Sequence, residues 1–419
     1  MGIVEPLVAF VVSFLFLGVM VYKRVGLGIT LTFTATAFSL LSLDSNMIAD
    51  VFWETMSDSI TISLLLATFG IMLLSQLYKE TQFAEMLSQS LSEILKNSKL
   101  VVSVLPAIVG LLPVPGGALM SAPMVEAEAD KLALKKDRQT YVNIWFRHTI
   151  FPIYPMSSFF LLAVALTGVS VVSLITRQMP VVVAMVILGF LIGFWRVASV
   201  KHEPSKDGLG TNFKVLLKAF APILVMILAI VTFNIVRAGE AFNPLVIPID
   251  ATYDVSIAAL FGLVGILLIA KPRLDTLLRP FRSRSIYEVT LAAFGAMLLR
   301  NVALASGISE SFGRLIAGAN ASDVVLLLTL PAALAFLMGT PSGGLAISVP
   351  MLAGTLSFTP KVASLLYMAT YLGYLGAPTH LCLIFTADYF KCSLGKLYRY
   401  LIPSLVVSFL VAVLVYFML

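Results

Sequence analysis

Gly339-Thr340-Pro341-Ser342-Gly343-Gly344 cuts through an apolar run extending over 323–353, and Pro113-Val114-Pro115-Gly116-Gly117 cuts through another that begins near 100. Proline removes a backbone donor and clashes with the preceding turn, while glycine permits φ > 0. Neither run therefore reads as one straight helix. Each reads as a re-entrant hairpin, over 100–130 and 323–353, that enters and leaves a membrane by the same face with irregular backbone at its tip.

Outward from these tips the chain repeats itself. Phe69-Gly70-Ile71-Met72-Leu73-Leu74 recurs as Phe294-Gly295-Ala296-Met297-Leu298-Leu299, and Leu105-Pro106-Ala107 as Leu330-Pro331-Ala332, both 225 residues on. Gly116-Gly117, Ser121, Pro123 and Met124 recur as Gly343-Gly344, Ser348, Pro350 and Met351, 227 residues on. Matching Gly/Pro-interrupted apolar segments in the two halves of a membrane protein point to a secondary transporter and to its binding site.

Composition agrees. The chain is 59% hydrophobic and 12% charged, where soluble domains carry about 25% charged residues. Apolar runs long enough to cross a bilayer recur along its length. The expected fold is an all-α membrane protein with ten crossings, near 5–22, 26–43, 59–78, 139–167, 179–195, 214–236, 254–270, 286–304, 361–388 and 398–418. Glu5 is the first charge and no basic stretch precedes the first apolar run, so that run reads as a retained span rather than a cleaved signal. Residues 1–200 and 201–419 then form two repeats of five crossings and one hairpin each. An odd number of crossings turns the second copy upside down.

Charge supplies an independent test. With Lys23 and Arg24 placed inside, 22 of the 28 Lys and Arg residues fall in cytoplasmic loops, while the outer loops 44–58 and 239–254 are acidic. That sorting follows the positive-inside rule and leaves both termini outside. The net charge of +6 is thus a matter of topology, and nucleic acid is not an expected partner.

Two long spans are broken as well, at Phe151-Pro152-Ile153-Tyr154-Pro155 and at Gly376-Ala377-Pro378-Thr379-His380. Freed carbonyls suit a hard cation such as Na⁺, and restarting half-helices offer N–H groups to an anion. Pro113, Val114, Pro115, Pro155, Thr340, Pro341 and Pro378 are the candidate cation-site positions. Gly116, Gly117, Ser157, Ser158, Ser342, Gly343 and Thr379 are candidates for the substrate, together with Arg147, His148 and His380. An ionisable group at membrane depth is costly and marks function by default. Arg147 is always charged, has no acidic neighbour in sequence, and presents a planar fork suited to a carboxylate or phosphate.

Other charges read as structural. Arg300 snorkels, Asp388 neighbours Lys391, and Glu126, Glu128 and Asp130 belong to an ion-paired surface. Cys382 and Cys392 match no metal-ligand spacing and read as small apolar residues. No phosphate-binding glycine loop, nucleophile elbow or zinc-hydrolase motif occurs, so neither an ATPase nor another enzyme is expected, and no cofactor beyond Na⁺.

At the two tips and two breaks the chain resembles the ion transporter superfamily, which includes citrate and dicarboxylate/sodium symporters and gluconate permeases. More narrowly, it is similar to a prokaryotic integral-membrane family catalogued as domain of unknown function 401. The resemblance implies an inverted-repeat fold, a homodimer in the cell membrane, and a transport domain sliding as an elevator against a scaffold domain. It carries hairpin-tip roles to Pro115, Gly116 and Gly117 and to Thr340, Pro341, Ser342 and Gly343. It carries unwound-helix roles to Pro155, Met156 and Ser157 and to Pro378, Thr379 and His380. The Ser-Asn-Thr tips of the carboxylate symporters are absent. The leading expectation is an ion-coupled carrier of a small organic anion. The alternatives are a Na⁺/H⁺ antiporter, which would want an acidic residue at a break, or a membrane subunit served by a binding protein.

Overall fold

The computed structural model describes residues 4–23, 25–95, 97–111, 118–200, 209–238, 251–308, 310–311 and 322–419. The first half contributes α1 (Pro6–Tyr22), α2 (Leu27–Ser42), α3 (Ser45–Ser57), α4 (Ser59–Glu80) and α5 (Phe83–Ile94). Then come α6 (Ser98–Gly110), α7 (Ala118–Lys131), α8 (Lys136–Thr149), α9 (Ser158–Thr167) and α10 (Val171–Gly193). The second half contributes α11 (Leu209–Ala238), α12 (Asp254–Ala270), α13 (Leu274–Leu278), α14 (Arg284–Ala305) and α15 (Asp323–Met338). It ends with α16 (Pro341–Leu352), α17 (Pro360–Gly376), α18 (Leu381–Tyr389) and α19 (Leu394–Met418). No β-sheet forms among the described residues, as hydrocarbon demands of open backbone.

Among the described residues six helical stretches are long and apolar enough to cross a membrane: 59–80, 136–167, 171–193, 212–233, 284–305 and 394–418. The chain is a multi-pass membrane protein. Helix starts are written in short polar residues whose side chains accept from the first free amides, as Asp58 does from Thr61 N and Ser170 from Ser173 N.

Two boundaries differ from the sequence expectation. The outer segment 44–58, expected as a loop, is the helix α3, whose buried face includes Val51 and Thr55. Thr55 is held by Asn301, which donates to its hydroxyl at 2.9 Å. Helix α10 begins at Val171, not near 179, because its polar residues are accommodated. Gln178 is buried there and donates to Ser364 O at 2.9 Å. The amphipathic stretch near 82–97 is α5, while the matching stretch near 307–319 falls largely outside the described residues.

Helices pack in two groups, α1–α5 with α11–α14 and α6–α10 with α15–α19, and the two meet where α14 lies on α16, where α5 lies on α6 and where α4 and α14 lie on α9. Contacts pair across the halves. Helix α2 packs on α14 and α12 on α4; α6 packs on α8 and α15 on α17; α7 packs on α18 and α16 on α9. The repeated Phe-Gly motif falls on two of these crossings. A Cβ on Gly70 would stand 3.2 Å from Ala259 of α12, and one on Gly295 would stand 2.7 Å from Thr32 N of α2. Small residues let helix backbones approach closely in a membrane, where lipid is as apolar as the side chains it replaces.

Candidate functional site

Helix α8 ends at Thr149 because Pro152 cannot continue it, and a single 3₁₀ turn, Phe151–Ile153, carries the chain to Tyr154 and Pro155. Helix α9 restarts under Ser157, whose hydroxyl accepts from Phe160 N at 3.1 Å. That hydroxyl is thereby occupied; Ser158 beside it is half-buried. In the second half α17 stops at Gly376 ahead of Pro378, and α18 restarts after His380 without a side-chain cap. Pro378 and Thr379 are exposed, whereas Pro155 is buried.

The two breaks lie against each other. His148 and His380 meet edge to face with ring centroids 4.9 Å apart. Tyrosines of α17 reach across to the first break: Tyr371 donates to His148 O at 2.6 Å and Tyr367 to Phe151 O at 3.3 Å. At the second break Tyr398 donates to Gly376 O at 3.0 Å. Carbonyls that the proline breaks release are therefore largely satisfied by phenolic hydroxyls, a role sequence reading missed. Its trace in the sequence is the run of tyrosines at 367, 371 and 374, one per helical turn.

The second hairpin tip touches this junction. It is a two-residue turn: Gly339 closes α15 with φ +64°, and Thr340 opens α16 by accepting from Gly343 N at 3.3 Å. Pro341 occupies the first turn of α16, where its missing amide costs nothing. Ser342 follows it, half-buried, and Gly343 is buried. A Cβ on Gly339 would lie 2.5 Å from Thr379 Oγ1, so tip and break are in direct contact. The first tip, with Pro113, Val114, Pro115, Gly116 and Gly117, lies outside the described residues. Its arms pack on the same region: Gly110 abuts the Arg147 backbone, and Ser121 donates to Asn143 Oδ1 at 2.7 Å. The repeat partner of Ser121, Ser348, is fully buried with no partner for its hydroxyl among the described residues.

Arg147 is 3% exposed. Its Nε and Nη1 have no hydrogen-bond partner among the described residues, and none of their ion pairs includes it. It acts electrostatically on Tyr371, Tyr374 and His380. A buried guanidinium in this state is a strong donor site for an anion, since each unmade charged hydrogen bond costs about 1–3 kcal/mol or more. Its helix is fixed in place. Trp145 Nε1 donates to Met185 O of α10 at 2.8 Å, and Gly189 of α10 leaves room for Phe146, whose ring would stand 2.7 Å from any Cβ there.

Cys382, read from sequence as packing material, is buried beside both histidines. Among the charges read as structural, Glu126 pairs with Lys136 at 2.7 Å and Asp388 with Lys391 at 3.3 Å, whereas Glu128, expected on a solvated surface, is buried and accepts from both Lys131 at 2.6 Å and Ser98 Oγ at 2.9 Å. Arg300 bonds its neighbour Asn301 at 3.2 Å. A cavity of about 560 Å³ between α15, α17 and α19 is walled by Phe336, Leu372, Pro378, Ile402 and Phe409, and offers no charge to an anion.

Among solved structures, the crystal structure of the Alcanivorax borkumensis YdaH transporter is similar to this chain, with a TM-score of 0.51 and 14% identity over 96% of this chain and 98% of that one. At that identity the likeness is one of fold. No curated protein matches the chain. A family model described as "Protein of unknown function (DUF401)" matches residues 8–419, so the chain belongs to that family.

Proposed function

We propose that this DUF401 member is a secondary active carrier of a small organic anion, driven by a Na⁺ or H⁺ gradient across the cell membrane of a prokaryote. One observation carries the reading: a permanent cation, Arg147, is buried with Nε and Nη1 unpartnered among the described residues, where two broken helices and a hairpin tip meet. The shared fold with the YdaH transporter supports a carrier in general. An anion entering this junction would accept from Arg147, with the His148 and His380 rings forming its wall and Ser342 and Thr379 reaching it from the tip and the break. The cation would sit among Thr340, Pro341, Pro378, Pro155 and the corresponding first tip.

The reading includes ten crossings and two inverted repeats, with both termini facing outward. The paired packing of α2 on α14 and α12 on α4 supports the duplication. The two helix groups would be the scaffold and the moving elevator domain of a homodimer, with both repeats contributing to each. Uptake of candidate carboxylates by proteoliposomes under imposed Na⁺ or H⁺ gradients tests it. Accumulation that is lost in Arg147→Ala supports the carrier; exchange of Na⁺ for protons with no anion uptake replaces it with an antiporter.

A further inference from the structure

Three metal-binding side chains meet where the breaks cross. One ring nitrogen each from His148 and His380 and the Cys382 thiol sulfur all lie within 4.8 Å of one another, and all three residues are buried. They come from both halves of the chain, so no spacing motif announces them. His148 Nδ1 lies 2.7 Å from Ile144 O. A carbonyl only accepts, so that nitrogen carries the proton and Nε2 presents a lone pair. A backbone carbonyl behind the ring is the usual support of a metal-ligating histidine. His380, 1% exposed, has Nε2 against the Tyr374 hydroxyl at 2.7 Å, while its Nδ1 has no partner among the described residues.

We propose that His148, His380 and Cys382 form a transition-metal site for a borderline-soft divalent ion of the zinc class. Imidazole and thiolate are the donors such ions select, whereas Na⁺, Mg²⁺ and Ca²⁺ want oxygen. Three protein ligands leave a fourth tetrahedral position for water or an anion. Binding breaks the Cys382 S–H bond, forms a sulfur–metal bond, and releases one proton to solvent. The thiolate offsets part of the charge that the ion adds beside Arg147. The tyrosine behind His380 and the carbonyl behind His148 hold the rings. The site requires no transport activity, and its test requires none.

The test uses the full chain purified in detergent, stripped with chelator and titrated with Co²⁺, then with Zn²⁺ as competitor. The expected result is about one ion per chain and a thiolate-to-cobalt charge-transfer band that Zn²⁺ abolishes. The band persists in Cys392→Ser and disappears in Cys382→Ser, and His148→Gln weakens affinity at least about tenfold. The absence of any thiolate-to-cobalt band in the unmodified chain overturns the site, a result that needs no variant to fold. So does a band lost in Cys392→Ser but kept in Cys382→Ser.

Discussion

At the first break, between Thr149 and Ser158, Pro152, Tyr154 and Pro155 are buried and two backbone carbonyls are held by tyrosine hydroxyls; at the second, between Gly376 and Leu381, Pro378 and Thr379 stand exposed and a hairpin tip leans on them. Both are proline interruptions of a long apolar stretch, yet their surroundings differ. The first is a closed, cation-bearing floor. The second is a contact surface, with Thr379 directly against Gly339 of the hairpin tip. Two proline breaks of similar sequence thus end in different surroundings, one enclosed by neighbouring helices and one open at its surface.

Substitutions at equivalent places in the two breaks sharpen or erase that contrast. The largest effect is expected for Arg147→Ala, which should reduce anion binding by about 10- to 100-fold or more, as loss of charged hydrogen bonds worth about 1.5–3 kcal/mol implies. Arg147→Lys keeps the charge without the fork and should fall between. Thr379→Ala at the second break should cost less than either. Uptake and ligand-induced thermal shift read the series, with size-exclusion profiles to check folding; a misfolded Arg147→Ala would make the arginine structural and dissolve the contrast.

Next come the carbonyls. Tyr371→Phe strips the fully buried His148 O of its partner and should lower stability by about 1–3 kcal/mol. Tyr398→Phe at Gly376 should cost less, because Tyr398 is only half-buried. Equal losses in thermal unfolding would mean the two breaks are equally closed. Gly339→Ala forces a left-handed residue, about 1–2 kcal/mol, and adds a clash with Thr379. Gly168, at φ +70° with nothing within 4 Å of a Cβ, supplies the control that carries strain alone. Gly168→Ala should therefore be the milder change, and matching losses would show that tip and break do not press together in solution. Smallest is Glu126→Gln, which removes the exposed ion pair to Lys136 while keeping an amide oxygen able to accept from the Tyr389 hydroxyl, now 2.8 Å from the carboxylate. It should cost about 0.2–1 kcal/mol and fade in high salt, measured as melting temperature against ionic strength.

Much of this architecture was legible before any coordinates, because proline and glycine act locally and in a way that neighbours cannot cancel. Pro152 and Pro378 break α8–α9 and α17–α18 where they stand in the chain, and Gly339-Thr340-Pro341 turns between α15 and α16. Hydropathy was less informative at α3, where a helix with only Val51 and Thr55 buried looks like an acidic loop, and at the start of α10, where Gln178 hides its polarity in a bond to Ser364. Arg147, His148 and His380 were visible as charges out of place. The approach of Tyr371 and Cys382 to His148 was not, since those contacts join residues more than 200 positions apart and depend on how two helices cross.

Trp145 and Phe146 sit flush against α10 at Met185 and Gly189, on the turn before Arg147. The opposite side of α10 presents Val183, Ile187 and Leu191 outward, each at least half exposed. That helix is therefore an external handle on an internal guanidinium: whatever shifts one must drag the other. A spectroscopic label at the exposed Ile187 would report any displacement of α10 and, through Trp145 and Phe146, of the turn that carries Arg147.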